Sequence, residues 1–174
     1  NGSLFQIVSN FGINSAVGSS RVVGDEMGWT VDELNELLDT FPEGTQAFPY
    51  MTSTSILHYI CAMNMDKYVD WTTGECSFDS EGFIKLLEFA SEYPKEYDWE
   101  NGERVSDVTL IQEGKALLMM ANLHDFQEIQ MHEAVFGGDI TYKGFPCEDG
   151  IGNAFMINGG ICMSTKCEDK EGAW

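Results

Sequence analysis

Three histidines, five cysteines and twenty-nine carboxylates are the groups in this 174-residue chain whose types could carry covalent, metal or acid–base chemistry. Their spacing does not assemble them. His58, His124 and His132 include no pair four residues apart, so no helix face offers two imidazoles to one metal ion. No H-E-x-x-H, nucleophile elbow or P-loop occurs. Cys61, Cys76, Cys147, Cys162 and Cys167 contain no C-x-x-C, and the closest pair, Cys162 and Cys167, has no histidine cluster beside it. An odd count leaves at least one cysteine unpaired within the chain. No D-x-[DN]-x-[DN]-G loop is present either, so neither a metal nor a cofactor is expected. Glu128, His132 and Glu133 share one helix and read as a solvated face. Carboxylates are nonetheless abundant enough that a glycosidase-like acid pair stays open as an alternative.

The elements that would position any site follow from apolar spacing and from helix-end residues. Leu4 to Val8 alternates as a strand does, and Phe11 to Val17 continues it in extended form. Ser19 to Gly28 reads as a polar connection. Thr30 and Glu33 make a capping box, and the helix behind them sets Leu34, Leu37, Leu38 and Phe41 on one face before Pro42 stops it. Residues 52–65 form a second helix. Residues 69–78 read as a small hairpin around Thr73-Gly74. Asp79 or Ser80 caps a helix with Phe83, Leu86, Leu87 and Ala90 inward, and Ser106 caps a short one that ends near Gly114. Ala116 to Ala121 is a short apolar run, hence a buried strand; Leu123 to Phe136 has helix length; Ala154 to Met163 is again strand-like; and Ser164 opens a charged helix. Together these predict a helix-rich α/β domain with several helices around a small mixed sheet.

Apolar residues make up 43% of the chain, which excludes a disordered polymer and supports one domain-sized core. Nine basic against twenty-nine acidic residues give a formal charge of -20, which repels phosphate backbones and makes nucleic acid an unfavourable partner. No apolar run approaches the roughly 18 residues that span a bilayer.

The order "EGKALLMMANLHDF", then "GFP…GIGNAF", then "GGICMSTKCEDKEGAW" resembles family 1 of the bacterial extracellular solute-binding proteins that serve ABC sugar importers. "GWTVDELNELL" and "FDSEGFIKLLEFA" stand in the places of similar helices, and the likeness covers nearly the full length. Cys147 within the glycine-containing loop departs from it. The resemblance implies that residues 1–174 are one domain, a periplasmic-binding-protein-like type II lobe, the larger C-terminal lobe of a two-lobed protein, cut at both ends. The strand near the N-terminus and that around Ile157 to Met163 would be the two crossovers to the other lobe, so the two ends should lie together. It also implies a monomeric, non-enzymatic receptor, outside the cell and lipid-anchored to the outer face of the cytoplasmic membrane, or else periplasmic, with a sugar or oligosaccharide and the permease subunits of an ABC transporter as partners.

A sugar site needs flat aromatic faces for the apolar side of a pyranose and fixed polar groups for its hydroxyls. Four stretches offer them. Tyr50, Thr52 and Ser53 lie where a loop enters a helix, with backbone N–H groups expected to be free. Asn122, His124, Asp125 and Phe126 follow the buried strand directly. Gly150, Gly152 and Asn153 form a loop that could approach a ligand closely, because glycine permits it. Asn10 would sit on the first crossover. Of the tryptophans, Trp29 reads as a packing residue before a helix, Trp71 as part of the hairpin with its loss costing stability, and Trp99 as part of a polar excursion. None is expected to be the central sugar platform.

Overall fold

The computed structural model describes residues 6–97, 104–148, 150 and 152–172. Its sheet is built on one long strand, β1 (Ile7–Ser19). β2 (Leu118–Leu123) runs antiparallel along one edge, from Ile13↔Leu123 to Gly18↔Leu118. β3 (Ile140–Tyr142) and β4 (Ala154–Ile161) share the other edge end to end, β3 pairing Val17 to Ser19 and β4 pairing Ile7 to Asn14. These pairings are all antiparallel. Parallel pairing is confined to the isolated bridges Gln46↔Ala116 and Gly144↔Gly152, so the sheet is less mixed than the sequence suggests.

The alternation of a strand then sorts residues onto two faces. Ala16 and Leu118 point into the larger core, with Leu34 of α2 (Val31–Leu38), Ile56 and Ile60 of α3 (Ser53–Tyr68), and Leu86 and Phe89 of α4 (Glu81–Ser91). Met119 faces the other way. It packs against the smaller core of Ile111 on α5 (Asp107–Gln112) and Val135 on α6 (Phe126–Phe136). Helices therefore cover both faces.

The helix ends behave as their residues dictate. Thr30 and Glu33 close the capping box, Thr52, Ser80 and Ser106 each accept from the backbone N–H three residues on, and Asp125 accepts from two. Gly114 takes a positive φ just past α5. The hairpin is present as a Val69↔Cys76 bridge with Gly74 at φ 77°.

Four expectations need correction or completion. The stretch read as a polar connection contains a one-turn helix, α1 (Ser20–Val23), whose Val23 enters the larger core. β3 has only three residues, too short for an alternation to register. Residues 164–172 are turns and bends, not a helix; the Ser164 and Asp169 oxygens hold them in local turns. Finally, Trp71 is 70% exposed, so its replacement by alanine is expected to change unfolding free energy by no more than about 0.5 kcal/mol in a denaturant melt. Trp29 does pack: it is 3% exposed, and its indole N–H donates to the Gly144 carbonyl at 2.9 Å. Trp99, Leu4 and Phe5 lie outside the described residues. The first and last strands pair, Ile7 with Ile161 and Val8 with Gly160.

Candidate ligand-binding site

Where the larger core ends, the same face of the sheet continues as a row of amides. Asn14 lies two residues before the fully buried Ala16 on β1, and its partner across β2 is Asn122. Two residues further along the strands come Gly12 and His124. Asn158 of β4 completes the group: its side-chain nitrogen lies 2.8 Å from His124 Nδ1. Gly12 makes this contact possible. A Cβ there would stand 2.8 Å from the His124 ring and 2.9 Å from Asn158 Nδ2, so only a residue without a side chain lets the two meet over β1. Asn122, His124 and Asn158 are exposed. The Oδ1 of Asn14 is shielded and accepts no hydrogen bond from any described residue. A buried acceptor left unpaired is costly, and a hydroxyl donor brought by a ligand would relieve it.

The sequence-predicted residues distribute around this row. Asn122 and His124 belong to it. Asn10 is exposed on β1 beside Gly159, at an irregularity of the β1–β4 register. Asp125 and Phe126 follow His124, but Asp125 uses its carboxylate to cap α6, accepting from Gln127 N and Glu128 N. Glu128 in turn accepts from the backbone N–H of His124 and holds the turn. Phe126 stands 83% exposed at the first turn of α6.

The other two segments are tied into the fold. Tyr50 adopts φ 52°, donates its hydroxyl to the Val105 carbonyl at 2.9 Å, and carries the Arg104 guanidinium over its ring. The N–H groups expected to be free are engaged: Ser53 donates to the Pro94 carbonyl and Ser55 to the Thr52 hydroxyl. Gly152 is needed for backbone proximity, since a Cβ would lie 1.6 Å from the Phe145 carbonyl oxygen, and Phe145 N donates to Gly152 O. Asn153 accepts from Ser15, a neighbour of Asn14 that points to the opposite face of β1. Gly150 caps a turn, its N–H donating to the Cys147 carbonyl.

Sequence reasoning missed Gly12, Asn14 and Asn158. Their signal was present as isolated amides and a glycine interrupting two apolar strands, Phe11 to Val17 and Phe155 to Ile161.

On α6, where a solvated face was expected, His132 is instead 2% exposed, with Nδ1 3.2 Å from the Tyr142 hydroxyl. Burial holds its pKa below the ordinary value, against a smaller opposing pull from Glu128. The folded state thus prefers neutral His132. Its contribution to stability is complete above about pH 6.5 and is lost as pH falls below that, because only the unfolded chain takes up the proton. The thermal midpoint should drop from pH 7.5 to 5.5, and His132→Gln should flatten that segment of the curve.

No family model matches the chain, and no curated protein does. Solved structures do. The sugar-binding protein MalE from Xanthomonas citri superposes with TM-score 0.64 at 13% identity, over 100% of this chain and 47% of that one. RafE from Streptococcus pneumoniae, in its apo form, gives 0.55 at 11% identity over 98% and 49%. An ABC transporter solute-binding protein from Thermotoga lettingae, bound with α-D-tagatose, gives 0.51 at 14% over 98% and 48%. The chain thus has the α/β fold of a lobe of these binding proteins and spans about half their length.

Proposed function

We propose that this chain is one lobe of an extracellular carbohydrate receptor feeding an ABC importer, and that the row Asn14, Asn122, His124 and Asn158 is its half of the sugar cleft. The unpaired, buried Oδ1 of Asn14 carries the reading, because a neutral polyhydroxylated ligand brings a hydroxyl donor for that acceptor and hydroxyl oxygens for the amide N–H groups of the row. Asn10, Phe126 and Tyr50 are proposed at its margin. Asn153 braces the opposite face of β1 through Ser15, Gly152, Thr52 and Ser53 make their contacts within the fold, and Asp125 orients the turn that holds His124.

The protruding ribbon supports a second lobe. Ile7, Phe11, Phe155, Ile157 and Ile161 are 42–62% exposed, and Phe11 stacks on Phe155 with centroids 4.9 Å apart. Exposed apolar residues on paired strands need a cover, and a second lobe reached through these strands would supply it. Closure of two lobes over the ligand would bury it, and the closed form would engage the permease. We further propose that the receptor works as a monomer tethered by lipid to the outer face of the membrane. The glycosidase-like alternative is weaker, since Asp125 and Glu128, the carboxylates beside the row, both serve backbone N–H groups.

Half a cleft leaves one side of the sugar hydrated. Isothermal calorimetry of residues 1–174 against mono- and oligosaccharides should give dissociation constants of about 1 mM or weaker, near 4 kcal/mol. The protein with both lobes should bind at least one of them far more tightly. Absence of binding by the longer protein across the panel would refute the assignment.

A further inference from the structure

The excursion after α3 presents a tryptophan to solvent with its orientation held. Trp71 is 70% exposed, yet its indole N–H donates to Asp66 Oδ1 at 2.6 Å, which anchors the ring to the last turns of α3. Among the described residues no aromatic ring or cation stacks on it. The loop that carries it is knit at both sides: Asp70 N donates to Glu75 O, Gly74 N to Asp70 O, and Asp70 Oδ1 accepts from Thr72 N and Thr73 N. An exposed side chain so constrained loses little entropy when something lies against it.

Beside the ring is an open depression of about 610 Å³ lined by Asp66, Asp70, Thr72, Glu75 and Ser77. Neither Asp66 Oδ2 nor the Glu75 carboxylate takes part in a hydrogen bond with described residues, so acceptors for hydroxyl groups stand next to an aromatic face. The surroundings do not suit a protein partner. Trp71 is the lone large exposed apolar side chain lining this depression, and a protein interface needs an apolar centre of several residues. Among the described residues its rim carries Asp66, Asp70 and Glu75 against the single cation Lys67, a negative balance that disfavours anions.

We propose that Trp71 is the stacking platform of a second carbohydrate site, separate from the amide row, which takes one neutral pyranose ring of a polysaccharide by its apolar C–H face. Asp66 holds the indole, and Glu75 with the free Asp66 oxygen accepts from the sugar hydroxyls. The site would hold the protein on a polymer surface. None of the residues that line it belongs to the amide row, so the two share no side chain and this proposal does not depend on the cleft's assignment.

Native gel electrophoresis of residues 1–174 through mixed-linkage β-glucan, xylan or amylopectin tests this, with polygalacturonate as the anionic control. Retardation is expected in at least one neutral polymer and not in polygalacturonate. Trp71→Ala should weaken it at least tenfold, Trp71→Phe should retain part of it, and Gly12→Ala in the amide row should leave it unchanged. Circular dichroism and the thermal midpoint report folding of each variant; should Trp71→Ala unfold, Trp71→Phe and Glu75→Gln carry the comparison. The proposal is overturned if no neutral polymer retards the protein, if a folded Trp71→Ala migrates as wild type, or if Gly12→Ala abolishes retardation equally.

Discussion

Phe145→Ala is expected to lower the unfolding free energy by about 3–5 kcal/mol, the largest single-residue effect anticipated in this chain. Phe145 is 1% exposed. Its ring lies on Tyr59 of α3 with centroids 4.5 Å apart and planes 3° from parallel, and it stacks on Phe48 at 5.7 Å. Truncation would leave a cavity between the loop after β3 and the helices, and the neighbours are poorly placed to collapse into it. Gly28 N donates to Lys143 O, Trp29 to Gly144 O, Cys147 N to Trp29 O, and Phe145 N to Gly152 O. Asn64 adds bonds to Pro146 O and Glu148 N. So pinned a loop resists relaxation, which places the cost in the upper part of the range for aromatic truncations. Urea denaturation followed by circular dichroism measures it. A loss below about 1 kcal/mol would mean that the loop gives way, and that Phe145 does not key it to α3.

Gly12→Ala is expected to weaken sugar binding at least tenfold in the two-lobed protein, with a much smaller effect on folding. The added methyl would meet the His124 ring and Asn158 Nδ2 at under 3 Å, so their mutual hydrogen bond must break and both side chains turn outward. Both are exposed and free to rotate into solvent, so the fold can accommodate what the site cannot. His124→Ala should cost about 1–3 kcal/mol of binding if the imidazole hydrogen-bonds the ligand directly. The Gly12→Ala loss should match the loss in the His124→Ala/Asn158→Ala double variant, because it acts through those two groups. Calorimetry with the tightest saccharide of the panel decides. An unchanged affinity in Gly12→Ala, with the fold intact, would remove His124 and Asn158 from the site.

What the residues alone settled is what depends on near neighbours in the chain. Capping residues Thr30, Thr52, Ser80 and Ser106 satisfy N–H groups three positions away, so they marked their helices without tertiary help. Apolar alternation marked the extended strands, Gly74 and Gly114 marked chain reversals, and the absence of metal-ligand and nucleophile motifs was evident from spacing. The tertiary structure decided where amides end up. Asn14 and Asn122 are over a hundred residues apart in sequence, and they became one row because a particular antiparallel register put them opposite each other. A register one residue away would have sent the same side chains to the α6 face. The same geometry turned Asn153 toward Ser15 and away from that row. It also closed the Tyr50 to Ser53 junction through partners at Pro94 and Val105, which no local pattern announces. Gly12 shows the division most plainly: its sequence context is that of any glycine in a strand, and its necessity comes from His124 and Asn158, brought over it by two different neighbouring strands.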